Sequence, residues 1–187
     1  MDDAYLKKTW EKGIKALEQR DFARAIASLK KVEKAMPDDP DVHFAMADAL
    51  LGQGKADQAI RQCRRGVDAA PNAIVGWIRL GGLLLMTGKG EQALETFNKA
   101  QKVSPEHAHV AAGIAESKAM AGDLAGAEAA FSQALSFAPG EPDLIISMAR
   151  VQDASGNMKA AEETLRQACT EHPGALPLWL AVPQALG

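Results

Sequence analysis

The chain has 187 residues, 47% of them hydrophobic, 24% charged and only 5% aromatic, with a formal net charge of −3. That balance belongs to an ordinary folded chain, and the slight negative charge argues against nucleic acid or an anionic membrane as the partner. Cys63 and Cys169, the two cysteines, lie too far apart to suggest a disulfide framework. Apolar runs are too short to span a bilayer, and the opening Met1-Asp2-Asp3 leads into a mixed polar segment with no signal-peptide core. A cytoplasmic setting is expected, unless the chain is a fragment that has lost a leader.

Taken in order, the chain is punctuated by prolines. Pro37, Pro71, Pro105, Pro139 and Pro173 stand 34 residues apart. They divide it into units 6–39, 40–73, 74–107, 108–141 and 142–175, followed by a partial helix over 176–187. With the first residue of each unit as place 1, place 20 is Ala25, Ala59, Ala93, Ala127 and Ala161. Place 8 is always small: Gly13, Ala47, Gly81, Ala115 and Ala149. Place 24 is always apolar: Leu29, Cys63, Phe97, Phe131 and Leu165. Place 15 is Gly54, Gly88, Gly122 and Gly156, with Arg20 as the exception.

The central unit shows why each repeat should be two helices. Trp77, Leu80, Gly81 and Leu84 are spaced to share one helical stripe, and Ala93, Phe97 and Ala100 mark a second. Between them, Thr87-Gly88-Lys89-Gly90 provides a turn in which glycine can adopt the left-handed conformation that ends a helix. Pro105 stops the second helix, because proline lacks an amide donor and disfavours helix in the residue before it. This order of Trp, Leu, Gly, Leu, Gly, Ala, Phe, Ala and Pro resembles the tetratricopeptide repeat. The resemblance covers nearly the whole chain and implies an all-α fold, a right-handed α-solenoid of tandem helix-turn-helix repeats forming one domain over 1–187.

Some units depart from the pattern. Thr9 and Lys12 occupy places where core residues are expected, and the apolar set of the first helix is Leu6, Trp10, Ile14 and Leu17. Either that helix is rotated in its packing, or residues 1–5 fold back over it. Lys118 and Gln152 at place 11 predict shallower burial of their helices. After Pro173 another first helix begins, which Pro183 should break. Leu178, Trp179, Leu180 and Val182 would then lack a cover, and without a polar cap that end would meet further chain, another molecule or a second copy.

Few residues suggest chemistry. The stretch from Gly82 to Gly90 has the wrong glycine spacing for a phosphate loop and no Ser or Thr after Lys89. His107 and His109 lack further ligands for a metal, and His43 takes a packing place. Cys63 reads as a small core hydrophobe, and Cys169 has no evident base. Arg61, Arg64 and Arg65 read as a solvated face, with a docking site for an acidic partner as the alternative. No catalytic, cofactor or metal residues are expected, and no enzyme activity.

What the resemblance implies is a concave groove lined by first helices, with places 2, 5, 9 and 12 facing it. These include Phe44, Asp48 and Leu51 in the second unit, and Val75, Ile78 and Leu85 in the third, with Arg79 beside them. His109 and Glu116 fall there in the fourth unit and Arg150 in the fifth. The expected function is a non-enzymatic scaffold that binds a peptide or amphipathic helix there. Replacing Phe44 and Ile78 with Glu is expected to abolish capture with helicity intact. The clamp that some relatives use for a terminal carboxylate is not matched, since Trp10, Ile14, Ala45 and Val75 fill its places. The alternatives are a recruiting array on a larger sulfotransferase- or glycosyltransferase-like enzyme, or a self-assembling scaffold.

Overall fold

The structure, a computed structural model, describes residues 2–181; of the side chains within that span, those of Leu176, Trp179 and Leu180 are not described. Its described residues form eleven helices and no strand. None of them is long and apolar enough to cross a membrane. Two compact units divide the chain, Met1–Thr87 and Gly88–Gly187.

The first unit holds α1 (Asp3–Glu18), α2 (Phe22–Ala35), α3 (Pro40–Gly52), α4 (Ala56–Ala69) and α5 (Ile74–Met86). Consecutive helices pack on one another, and α1 also touches α3. The helices begin where the sequence offers caps. Asp21 accepts from the Arg24 amide, and Asp39 accepts from the amides of Asp41 and Val42, with Pro40 at the first helical position. Buried Leu29, Met46, Leu50, Cys63, Val67 and Leu84 form the core.

The second unit holds α6 (Gly90–Val103), α7 (Ala108–Met120), α8 (Leu124–Phe137), α9 (Pro142–Ala154), α10 (Met158–Glu171) and the short α11 (Leu176–Ala181). Here Phe97, Val110, Phe131 and Leu165 fill the core. Asp123 and Asn157 cap α8 and α10. The alanines at 25, 59, 93, 127 and 161 are each 0% exposed, so a larger side chain there has nowhere to go.

The turn after each first helix reverses through one left-handed residue. Gly54, Gly88, Gly122 and Gly156 have φ between 73 and 83°, and Arg20 stands at φ 58° in the same place of the first repeat. Arginine thus adopts a conformation that its Cβ disfavours, held by its amide donating to the Leu17 carbonyl at 2.9 Å.

Three expectations change. In α1 the packed stripe is Thr9, Gly13 and Ala16, in register with the other repeats, and Thr9 satisfies its hydroxyl by donating to the Tyr5 carbonyl at 2.7 Å. The helix is therefore not rotated, and residues 3–5 continue it. Gln152 is 5% exposed, because its amide donates to Glu128 at 3.0 Å and accepts from Thr164 at 2.9 Å. Paired on both sides, the amide tolerates the burial that its polarity would otherwise oppose. Leu178 is fully buried against Ile145, Ala149, Leu165 and Cys169, because α11 lies over α9 and α10. Val182 and Pro183 lie outside the described residues, as do the side chains of Trp179 and Leu180.

Candidate functional site

The first unit contains an open cleft of about 430 Å³ between α1, α3 and α5. Its α1 wall is Trp10, Ile14 and Leu17, all half-buried. They lie off the packed stripe of Thr9, Gly13 and Ala16. The opposite wall is Val75, near the start of α5, which is 62% exposed despite having no polar atom in its side chain. Glu18, Asp41, Asp48 and Arg79 supply the charge around this apolar surface.

Phe44 lies in the floor and is only 9% exposed. Its ring occupies the space that a Cβ on Gly66 or Gly76 would need: such an atom would fall 2.6 Å from its Cε1 or 2.8 Å from its Cζ, respectively. Both glycines let α4 and α5 approach α3 over this ring. Phe44 is therefore a packing residue as well as a lining one, contrary to the expectation of an outward-facing side chain. Introducing Glu there would remove the contact holding three helices, so that variant tests folding before it tests binding.

Arg79 reaches from α5 to α3. Its Nη2 donates to Asp48 Oδ2, and its guanidinium carbon lies 5.4 Å from the centre of the Phe44 ring. Both charged side chains are well exposed, so the pair contributes roughly 0–1 kcal/mol and serves mainly to fix Arg79 over the ring. Buried Cys63 lies near this pair. Burial pushes its thiol up to about 12, with Arg79 lowering and Asp48 raising it to lesser degrees. Such a thiol is inert, as expected of a core position.

His43 and Trp77 play one structural role in successive repeats. Trp77 Nε1 donates to the Pro71 carbonyl at 2.7 Å, and His43 Nε2 lies 2.7 Å from the Pro37 carbonyl. A carbonyl only accepts, so His43 Nε2 carries the proton. His43 Nδ1 lies 2.9 Å from Gln62 Oε1, and Gln62 donates to Glu33, which also accepts from Arg65. The histidine is 2% exposed, and its Nε2 is committed to the Pro37 carbonyl. It braces a loop and is inaccessible as a catalytic base. Among the described residues, no group of His, Cys, Asp or Glu is arranged to hold a metal ion.

These paired helices, glycine turns and small buried places are matched by family models. Models described as tetratricopeptide repeat match residues 16–77 and 118–182, and 78–142. The chain belongs to the tetratricopeptide repeat family. Its fold is similar to that of MamA 41-end from Desulfovibrio magneticus RS-1, at TM-score 0.79 and 19% identity, covering 94% of this chain and 99% of that one. It is also similar to TTC0263, a thermophilic TPR protein of Thermus thermophilus, at TM-score 0.72 and 22% identity, covering 97% and 98%. A further MamA crystal structure has TM-score 0.76 at 19% identity, covering 90% and 92%. At these identities the likeness is one of fold. No curated protein matches the sequence.

Within this tetratricopeptide repeat chain, the cleft gathers Phe44, Asp48, Val75 and Arg79 of the candidate residues. Leu51, Ile78 and Leu85 are half-buried and lie outside its lining. His109, Glu116 and Arg150 are exposed residues of the second unit. The His109 ring meets His107 edge-on at 5.7 Å, and the buried His107 Nδ1 has no hydrogen-bond partner. Glu116 exposes much of its surface, yet burial around the carboxyl raises it above the usual carboxylate range.

Trp10, Ile14, Leu17 and Glu18 were not among the expected groove residues. A signal existed: Trp10, Ile14 and Leu17 hold places 5, 9 and 12 of the first repeat, the places that Phe44, Asp48 and Leu51 hold in the second. Their size made them look like core.

Proposed function

We propose that this chain is a protein-interaction module, and that the cleft between α1, α3 and α5 takes an apolar segment of a partner protein. The observation that carries this reading is the excess of large apolar side chains where packing does not need them. The core face of α1 is complete with Thr9, Gly13 and Ala16, while Trp10, Ile14 and Leu17 line an open cleft opposite exposed Val75. An exposed apolar surface framed by charge is what a docking site offers. The role is binding without chemistry: the buried thiol of Cys63 and the engaged ring of His43 have packing and bracing roles.

A displayed library of random peptides selected on the full chain tests this. Peptides carrying apolar anchors should be enriched, and their binding should be lost in Val75→Glu. That exposed change should leave the helical circular-dichroism signal and thermal midpoint unaltered. Selected peptides that bind Val75→Glu as well as the parent would reject the cleft as the site.

A further inference from the structure

We infer that the segment taken by the cleft carries lysine or arginine beside its apolar anchors, an inference that rests on the cleft reading above. A second cleft of about 400 Å³ adjoins the first, and Trp10 and Asp41 line both. It brings Asp3, Lys7 and Asp39 to the same continuous surface. Carboxylates thus outnumber cations across the two.

The cations are also unequally free. Arg79 is committed to Asp48 and to the face of the Phe44 ring. Among the lining residues, Lys7 is then the one cation left beside Asp3, Glu18, Asp39 and Asp41. Asp39 is occupied as the cap of α3, with Oδ1 accepting from two backbone amides at 2.9 and 3.2 Å. Its charge and that of Asp41 are partly offset by the positive end of the α3 dipole. Glu18 is placed oppositely. It is the last residue of α1, where the helix's own carbonyl end adds to its negative potential. No ion pair within the described chain engages Glu18 or Asp41.

Geometry orders the ligand's features. Trp10, Ile14 and Leu17 follow one stripe over roughly 10 Å of α1. Glu18 stands just past Leu17, and Asp41 stands beside Trp10. A complementary segment therefore presents apolar side chains over roughly 10 Å, with a cation at one or both ends. An acidic segment would place carboxylates against Glu18 and Asp41 and be rejected by like-charge repulsion.

The test uses the peptides selected on the full chain. Lysine and arginine should exceed aspartate and glutamate around the apolar anchors. In the tightest binder, replacing those cations with Glu should weaken affinity about tenfold by fluorescence anisotropy, and the gap should narrow as salt is raised. Glu18→Lys with Asp41→Lys should reverse the preference. The milder Glu18→Gln with Asp41→Asn should reduce it in the same direction while preserving side-chain size. If peptides are lost in Val75→Glu but show no basic excess, the charge inference is overturned and the cleft reading stands. A lysine preference unchanged by the charge variants also overturns it, since the charge would then be read elsewhere. If no peptide is sensitive to Val75→Glu and the chain instead self-associates through a surface which that variant disrupts, the occupant is a second copy and the inference is overturned with it.

Discussion

Gly113 stands in the middle of α7, and a Cβ there would lie 2.3 Å from both Cε1 and Cζ of Phe97. Carbon atoms in contact settle at about 3.5–4.0 Å, so the added methyl overlaps the ring by more than an ångström. Phe97 is 2% exposed, so its ring is enclosed by the packed helices. Either the ring leaves its rotamer or α7 shifts away from α6, and overpacking of this kind costs about 1–3 kcal/mol. Against that stands the gain of about 1 kcal/mol from replacing glycine by alanine within a helix. Gly113→Ala should therefore be destabilising by about 1 kcal/mol.

Gly82 provides the control. It lies inside α5, and a Cβ there would meet nothing within 4 Å, so Gly82→Ala should keep the propensity gain and stabilise by about 1 kcal/mol. For a chain of this length each kcal/mol moves the thermal midpoint by roughly 2–4 °C, so the two variants should shift melting in opposite directions. In a Phe97→Leu background, Gly113→Ala should become neutral or stabilising, which measures the contact itself. A Gly113→Ala midpoint that rises as far as that of Gly82→Ala would refute the close approach of α6 and α7.

Four other outcomes are expected. Arg20→Gly should stabilise the chain by about 0.5–1 kcal/mol in urea titration, since the relief of left-handed strain exceeds glycine's extra unfolded-state entropy. Phe44→Ala should cost about 3 kcal/mol, because the ring packs against Gly66 and Gly76; a loss below 1 kcal/mol would return Phe44 to a purely ligand-facing role. Cys63, with its thiol at about 12, should resist alkylation at neutral pH in the native chain and react readily in urea, as followed by mass spectrometry of its peptide. Glu116→Gln should stabilise at neutral pH. The folded state holds this carboxyl above its ordinary range, so the penalty for charging it is present above the folded pKa and absent below the unfolded one. The difference between variant and parent should vanish as the pH falls through that window, and a constant difference across pH would sink the argument.

Much of the fold was legible because its signals are local and repeated. A glycine that must turn left-handed, a proline that cannot continue a helix and an alanine where two helices meet each leave a mark at one position. Repetition separates those marks from chance. The site was less legible. Phe44 has the spacing of a groove residue, but its burial depends on Gly66 and Gly76, which lie 22 and 32 positions further on. Gln152 looked too polar for the interior, and only its neighbours on α8 and α10 make the burial tolerable.

The sequence by itself determined that the chain is a tandem array of helical pairs and where each pair turns, because helix periodicity and backbone conformation are properties of neighbouring residues. It also named the family. Only the tertiary structure decided which apolar residues are core and which face an opening. Leu17 and Leu29 are the same residue type, yet one lines a cleft and the other is 0% exposed. That difference is set by what other helices bring against each side chain, and hydrophobic burial depends on the assembled surface rather than on the residue that supplies it.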